Sequence, residues 1–223
     1  MSLLDGAKRA TGTAIVIDVF RAFTTAAYAI EQGAEKIILV AGIEEALRLR
    51  ENGTAHLCMG EVDGKRPDCF EFGNSPFAIS NQNLQGKVVV QSTGAGTVGV
   101  TAANNADSIF LGSLVTATAT IETILQDNPD KVSIVAMGAE GKSKTDEDEQ
   151  CAMYLRNLLE RRNPDPDALK SLILSGAESL KYDDPTRPHF DVRDRNLALD
   201  IDRFQFAISV RSINGLNVAS KRT

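Results

Sequence analysis

Ile15-Val16-Ile17-Asp18-Val19-Phe20-Arg21-Ala22-Phe23-Thr24-Thr25 and Val88-Val89-Val90-Gln91-Ser92-Thr93-Gly94-Ala95-Gly96-Thr97 decide the fold of this chain. Each is a β-branched run that ends in polar residues and leads into a helical pattern. With Ile15 set on Val88, Ala22 falls on Ala95, Thr24 on Thr97 and Ala29 on Ala102. After a one-residue slip, Ala34-Glu35-Lys36-Ile37-Ile38-Leu39 falls on Ala106-Asp107-Ser108-Ile109-Phe110-Leu111. Each copy therefore reads as strand, polar turn, helix, strand, over about 13–41 and 87–114. Two such units in one sheet bring their polar turns to the edge where α/β proteins bind ligands. One turn carries a carboxylate and a guanidinium. The other carries hydroxyls and flexible backbone amides, a set suited to phosphate and a metal ion.

Working outward, strands are expected at 13–19, 36–41, 55–59, 87–91, 108–114 and 131–137, with helices at 22–32, 43–52, 97–105, 117–127, 146–162 and 167–180. Gly33 and Gly53 stand just past two of these helices, where helices commonly stop. Residues 60–80 read as a long loop, a length often tied to function. Residues 138–145 and 182–188 are further loops. Residues 200–210 read as a late strand or strand pair, and the segment beyond Asn214 as a frayed tail. No linker demands two independent domains, so residues 1–223 are expected to form a single three-layer α/β/α domain around a mostly parallel sheet.

Composition removes several function classes. A net charge of −6 argues against nucleic-acid binding. No apolar run of about eighteen residues is present, so no membrane span is expected. The first eight residues, Met1 to Lys8, lack the apolar centre of a signal peptide. Three cysteines, an odd number, make a disulfide framework a poor fit, and a reducing cytoplasm is the expected setting. Two histidines leave little room for a His-rich metal site.

Asp18 ends a buried apolar run, where a carboxylate must be paired or bound to a cation. Arg21 offers either a structural partner for Asp18 or a bidentate phosphate ligand. Phe20 stands where a haloacid-dehalogenase phosphatase needs its second aspartate, so that class is not supported. Gly94-Ala95-Gly96-Thr97-Val98-Gly99 matches G-x-G-x-x-G, yet no acid follows between Asp107 and Glu122 to hold a ribose. What remains is an anion-binding turn of Ser92, Thr93, Gly94, Gly96 and Thr97, or a turn that is tight only for packing. There is no G-x-x-x-x-G-K-[ST] motif and no C-x₅-R loop. Glu61 and Asp63 in the long loop suit a hard cation or solvent. Asn74-Ser75-Pro76 reads equally as a turn with a helix start and as a ligand contact. Asp146-Glu147-Asp148-Glu149 exceeds what a helix N-terminus needs for its dipole and supplies further candidates for Mg²⁺.

Together these motifs resemble the magnesium-dependent 2-phosphosulfolactate phosphatases. The resemblance rests on Val16 to Ala22, Phe72 to Pro76, Ser92-Thr93 through Gly96-Thr97, Ala106-Asp107, Gly112 to Val115, Gly138 to Glu140, and Glu147-Asp148 with Cys151-Ala152. It spans roughly residues 12–155 in the family's order. It implies an α/β/α fold, Mg²⁺ dependence and hydrolysis of the phosphate ester of a 2-hydroxy acid bearing a sulfonate. That reaction belongs to coenzyme M synthesis in methanogens. Ala95 and Thr116 stand where the family commonly has asparagine, which bears on substrate choice. In this reading Asp18, with Glu61 or Glu147 and Asp148, holds the metal. Arg21 and the Ser92–Thr97 turn neutralise the phosphoryl group, with Asn74 and Ser75 near it, and Arg66 or Lys65 meets the substrate's second charge. Whether Asp18 is ligand, base or nucleophile stays open. The alternatives are a dinucleotide-binding oxidoreductase and a non-catalytic relative that binds a phosphometabolite. Homodimers are expected only by habit of the class.

Overall fold

In the computed structural model, which describes residues 1–223, the chain begins with α1 (Leu3–Arg9) and continues through β1 (Gly12–Ile17), α2 (Ala22–Glu31), β2 (Lys36–Val40), α3 (Ile43–Glu51), β3 (Leu57–Gly60), β4 (Phe72–Gly73) and α4 (Pro76–Ser80). The second repeat supplies β5 (Val88–Ser92), α5 (Gly96–Ala102) and β6 (Ala106–Gly112). There follow α6 (Ala117–Asp127), β7 (Val132–Ala136), α7 (Asp146–Leu159), α8 (Pro166–Leu174), α9 (Ala177–Leu180), α10 (Val192–Ala198), β8 (Ala207–Ile213) and β9 (Leu216–Arg222). No helix is long and apolar enough to cross a membrane.

All nine strands join one sheet in the order β4-β3-β5-β2-β9-β8-β6-β1-β7. Five pairings are parallel and three, those made by β8 and β9, are antiparallel. The expected repeats are present but interlocked. β1 of the first repeat pairs with β6 of the second, and β2 of the first pairs with β5 of the second. Each repeat thus sends its two strands to opposite halves of the sheet, and β8–β9 joins the halves. Five steps separate β5 from β1. A twist of roughly 20–25° per step accumulates to roughly 100–125° over that distance, enough to swing the carboxyl ends of β1 and β5 toward each other.

The curved sheet wraps around α2, in which every residue from Ala22 to Ile30 is buried. Its small residues, Ala22, Ala26, Ala27 and Ala29, let both half-sheets approach. Its buried hydroxyls are satisfied locally, Thr24 Oγ1 donating to the Val19 carbonyl at 2.8 Å and Thr25 Oγ1 to that of Arg21 at 2.9 Å. Alternation along the strands serves two layers at once. In β1, Ala14 and Val16 face the inner core with Phe23 and Ala26, while Ile15 and Ile17 face an outer layer with Ile121, Tyr154 and Leu155. In β2, Ile37 and Leu39 face inward, whereas Ile38 and Val40 pack with Ala46 and Leu49 of α3.

The segment beyond Asn214 is not frayed. Asn214 and Gly215 adopt φ of 52° and 78°, the paired left-handed conformation of a two-residue hairpin turn, and β9 runs between β8 and β2. Its sequence, Leu-Asn-Val-Ala-Ser-Lys-Arg, misleads because only Val218 and Ala219 are buried. The late strand also starts later than expected, at Ala207. The long 60–80 loop contains β4 and the short α4, and the helix expected over 167–180 is divided into α8 and α9 at Ser175-Gly176.

Because β9 carries the only link from β2 to β8, deletion of residues 216–223 is expected to abolish the cooperative urea transition followed by far-UV circular dichroism. A cooperative transition with an unchanged midpoint would contradict its central place.

Candidate active site

A cavity of about 910 Å³ opens where β1, β3, β5 and β7 end. Asp18 and Arg21 reach it from the β1–α2 turn, Glu61 and Lys65 from the segment after β3, and Ser92 and Thr93 from the end of β5. Glu147 and Asp148 enter from the first turn of α7. Convergence of the two repeat turns is direct, since the Gly96 N–H donates to Asp18 Oδ2 at 2.9 Å.

The acids form one wall. Asp18 Oδ1 accepts from the Ala22 N–H at 2.9 Å, so each of its oxygens is held by a backbone amide. Burial pushes the Asp18 carboxyl up to about 6. The Ala22 amide opposes that rise, Glu61 adds to it, and the Gly96 amide and Arg21 oppose it again. Asp148 is built alike, accepting from the N–H groups of Val19 and Gly138, both at 2.8 Å. Burial, then the charge of Asp18, raises it well above the usual carboxylate range. Glu61 accepts from Gly64 at 2.7 Å and Gly94 at 2.8 Å. Glu147 is only 3% exposed, its Oε2 has no hydrogen-bond partner, and burial followed by the nearby Asp148 raises it well above its ordinary value. Glu149 turns away to Ser2, whose hydroxyl donates to it at 2.5 Å.

Arg21 does not pair with Asp18. Its Nη1 donates to Asp194 Oδ2 at 2.7 Å and to the His189 carbonyl at 2.9 Å, and its Nη2 donates to the Gly64 carbonyl at 3.1 Å. A guanidinium has five N–H donors, so Nε–H and one Nη2–H remain on a side chain that lines the cavity. The partner, Asp194, is 1% exposed, and its Oδ1 accepts from the Ser75 hydroxyl at 2.7 Å and the Phe77 N–H at 2.9 Å. One buried carboxylate thus fixes the guanidinium, the start of α4 and α10 together.

Residues 2–185 match the sequence model of the family described as 2-phosphosulpholactate phosphatase. The chain belongs to this family. The family's name describes a phosphoric monoester hydrolase. A protein of Caldicellulosiruptor saccharolyticus named "probable 2-phosphosulfolactate phosphatase" is 39% identical over 156 residues, which cover 68% of this chain and 64% of that protein. A Bacillus subtilis protein of the same name is 33% identical over 183 residues, covering 81% and 78%. One from Deinococcus radiodurans is 37% identical over 135 residues, covering 60% and 56%. The chain therefore spans less than two thirds of some of these relatives.

Against this 2-phosphosulpholactate phosphatase frame, the structure sorts the residues singled out from sequence. Asp18, Arg21, Glu61, Asn74, Ser92, Thr93, Gly94, Glu147 and Asp148 all line the cavity. Ser75 does not. It caps α4 by accepting from the Ala78 N–H at 3.1 Å and serves Asp194. Thr97 is turned inward, its hydroxyl accepting from the Thr93 N–H at 3.0 Å and donating to the Thr93 carbonyl at 2.9 Å. Arg66 points away to the carbonyls of Phe70 at 2.8 Å and Glu71 at 3.3 Å, and Lys65 faces the cavity instead. The amides of Gly94 and Gly96, expected to meet a phosphate, are taken by Glu61 and Asp18. The glycine pattern has packing reasons. A Cβ at Gly96 would lie 2.8 Å from Asp18 Oδ2 and 2.9 Å from Phe23 Cζ, and one at Gly99 would collide with the Met137 side chain.

Asp194 and Arg187 escaped the sequence reading. Asp194 lies beyond the residues the family model matches. Its signal is faint: a second aspartate three residues after Asp191, which caps α10 by accepting from the Arg193 N–H at 2.9 Å. Asp194→Ala would leave the Arg21 guanidinium buried without its acid. Breaking a buried pair from one side costs about 3–5 kcal/mol, a loss to be read from the urea midpoint. A change below about 1 kcal/mol would show that Arg21 finds another partner.

Proposed function

We propose that the protein is a phosphatase that hydrolyses the phosphate ester of a small 2-hydroxy acid, with 2-phosphosulfolactate as the favoured substrate and Mg²⁺ as the cofactor. The observation that carries this reading is a single cavity lined both by the buried acids Asp18, Glu147 and Asp148 with Glu61 and by the cations Arg21, Lys65 and Arg187. Family membership gives the substrate class, since the relatives are named for that ester.

The donor set suits a hard cation, which prefers oxygen. Asp18 and Asp148 spend one lone pair of each oxygen on an amide and keep another. Glu147 Oε2 is buried without a partner. No three acids stand together closely enough to enclose an ion by themselves. Mg²⁺ commonly takes one or two carboxylates and completes its shell with water and substrate phosphate, so such an open set is compatible with it. In this reading Asp18 and one further acid among Asp148, Glu147 and Glu61 would hold the ion. When bound, it supplies Lewis-acid polarisation of the phosphoryl oxygens.

The chain's own residues do the rest. The two remaining N–H donors of Arg21 face the phosphoryl group, and Asp194 keeps them aimed without reorganisation as charge develops. The hydroxyls of Ser92 and Thr93 and the side-chain NH2 of Asn74 complete the polar contacts. The free cysteines, Cys58, Cys69 and Cys151, agree with a reducing cytoplasmic setting.

Phosphate release from racemic 2-phosphosulfolactate is expected with Mg²⁺ and is expected to stop with EDTA. Asp18→Asn should lower kcat by at least about a hundredfold, a loss typical of removing one electrostatic catalytic group, with the native far-UV circular dichroism spectrum kept at the assay temperature. Full turnover by that variant, or EDTA-resistant turnover by the parent, would overturn the assignment.

A further inference from the structure

The cavity has cations that the phosphoryl group alone does not need. Lys142 is paired with Glu140 at 2.9 Å, and Lys181 is paired with Glu178. Lys65 has no acidic partner, and Arg187 holds Asp184 only at 3.4 Å with about half its side chain exposed. Lys65 and Arg187 belong to segments that Arg21 fastens together. Its Nη2 donates to the carbonyl of Gly64, the residue before Lys65, and its Nη1 to the carbonyl of His189, two residues after Arg187. Gly64, at φ of 78°, sits so close to the other segment that a Cβ would come within 2.8 Å of Phe190 Cζ and 3.1 Å of His189 Cδ2. The contact therefore admits no side chain, and Lys65 and Arg187 share one wall.

We infer that Lys65 and Arg187 form a subsite for a second acidic group of the substrate, a sulfonate or carboxylate carried on the same short carbon chain as the phosphate. This rests on the phosphatase reading above and goes beyond it by saying which residues choose among phosphoesters. Burial, then Lys65, Arg21 and Arg187, hold the His189 imidazole below its usual range, which places all three cations around one ring. Arg21 is answered by Asp194 and Arg187 in part by Asp184, whereas Lys65 has no salt-bridge partner. An ester bearing two acidic groups would span the cavity, with its phosphoryl end toward Arg21 and the carboxylates and its acidic tail toward Lys65 and Arg187. Arg66 does not line the cavity, and its Nη1 donates to the carbonyls of Phe70 and Glu71.

The test compares the parent with Lys65→Ala/Arg187→Ala on two esters, 2-phosphosulfolactate and a phosphoester with no second acidic group, p-nitrophenyl phosphate. The ratio of kcat/KM for the first over the second is expected to fall at least about tenfold in the variant, mainly through KM, because charge-assisted hydrogen bonds to the tail contribute to binding rather than to the reacting centre. An unchanged ratio overturns the subsite while leaving the phosphatase reading standing. If the parent hydrolyses neither ester, the phosphatase reading fails, and the subsite is judged by binding. Calorimetric titration with sulfolactate in magnesium buffer should then give a Kd at least about tenfold weaker in the variant. Equal affinity, or no binding to the parent, overturns it. Lys65→Arg/Arg187→Lys, which keeps both charges, should restore most of the ratio, and failure to do so would also count against the assignment.

Discussion

The structure depends on a buried carboxylate held by amides from two different repeats. Asp18 takes one N–H from Ala22, in its own turn, and one from Gly96, in the turn of the other repeat. Leaving such a group ionised in an apolar interior without partners would be prohibitive. The two amides are therefore a condition for the carboxylate's presence, and Asp18 in turn fixes how the half-sheets meet. Gly96 is the price of that closeness, because any side chain there would strike the acid or Phe23. The same logic recurs at Asp148, which accepts one amide after β1 and another after β7. Adjacent segments are tied through carboxylates rather than through a longer ladder.

Much of this was legible in the sequence, for physical reasons. Buried strands such as Ile15-Val16-Ile17 and Val88-Val89-Val90 must be apolar on both faces, so they stand out from a single chain. Asp18, Glu147 and Asp148 stood out because acids are costly beside such strands or redundant at a helix start. The interlocking of the repeats was not legible, because strand order depends on pairing between distant segments and leaves no mark within either repeat. β9 was missed since a strand flanked on both sides can remain polar where its residues face solvent. The partner of Arg21 was missed for a related reason. Asp18 is near in sequence, but Asp194 is near in space, and one helical aspartate among many offers no periodicity to read.

The glycine-rich turn shows how a motif changes meaning with its neighbours. Small residues and amides after a strand are suited to a ligand's phosphates. Here the amides of Gly94 and Gly96 are occupied by Glu61 and Asp18. The turn therefore acts on the acids, fixing their orientation and leaving their outward lone pairs free. Positive character that a nucleotide-binding protein would use on its ligand is used to hold the acids, and the positive charge that lines the cavity comes from side chains such as Arg21, Lys65 and Arg187.

The place of the β8–β9 hairpin has a consequence for how the chain comes into being. These are the last two strands in chain order, yet they lie between β2 and β6. On the ribosome both half-sheets are translated before the hairpin that joins them. Until it arrives, β2 and β6 each present a row of unpaired N–H and C=O groups, the kind of edge that invites pairing with another chain. The nascent protein thus carries one such border once β2 is made and two from the completion of β6 until the hairpin emerges.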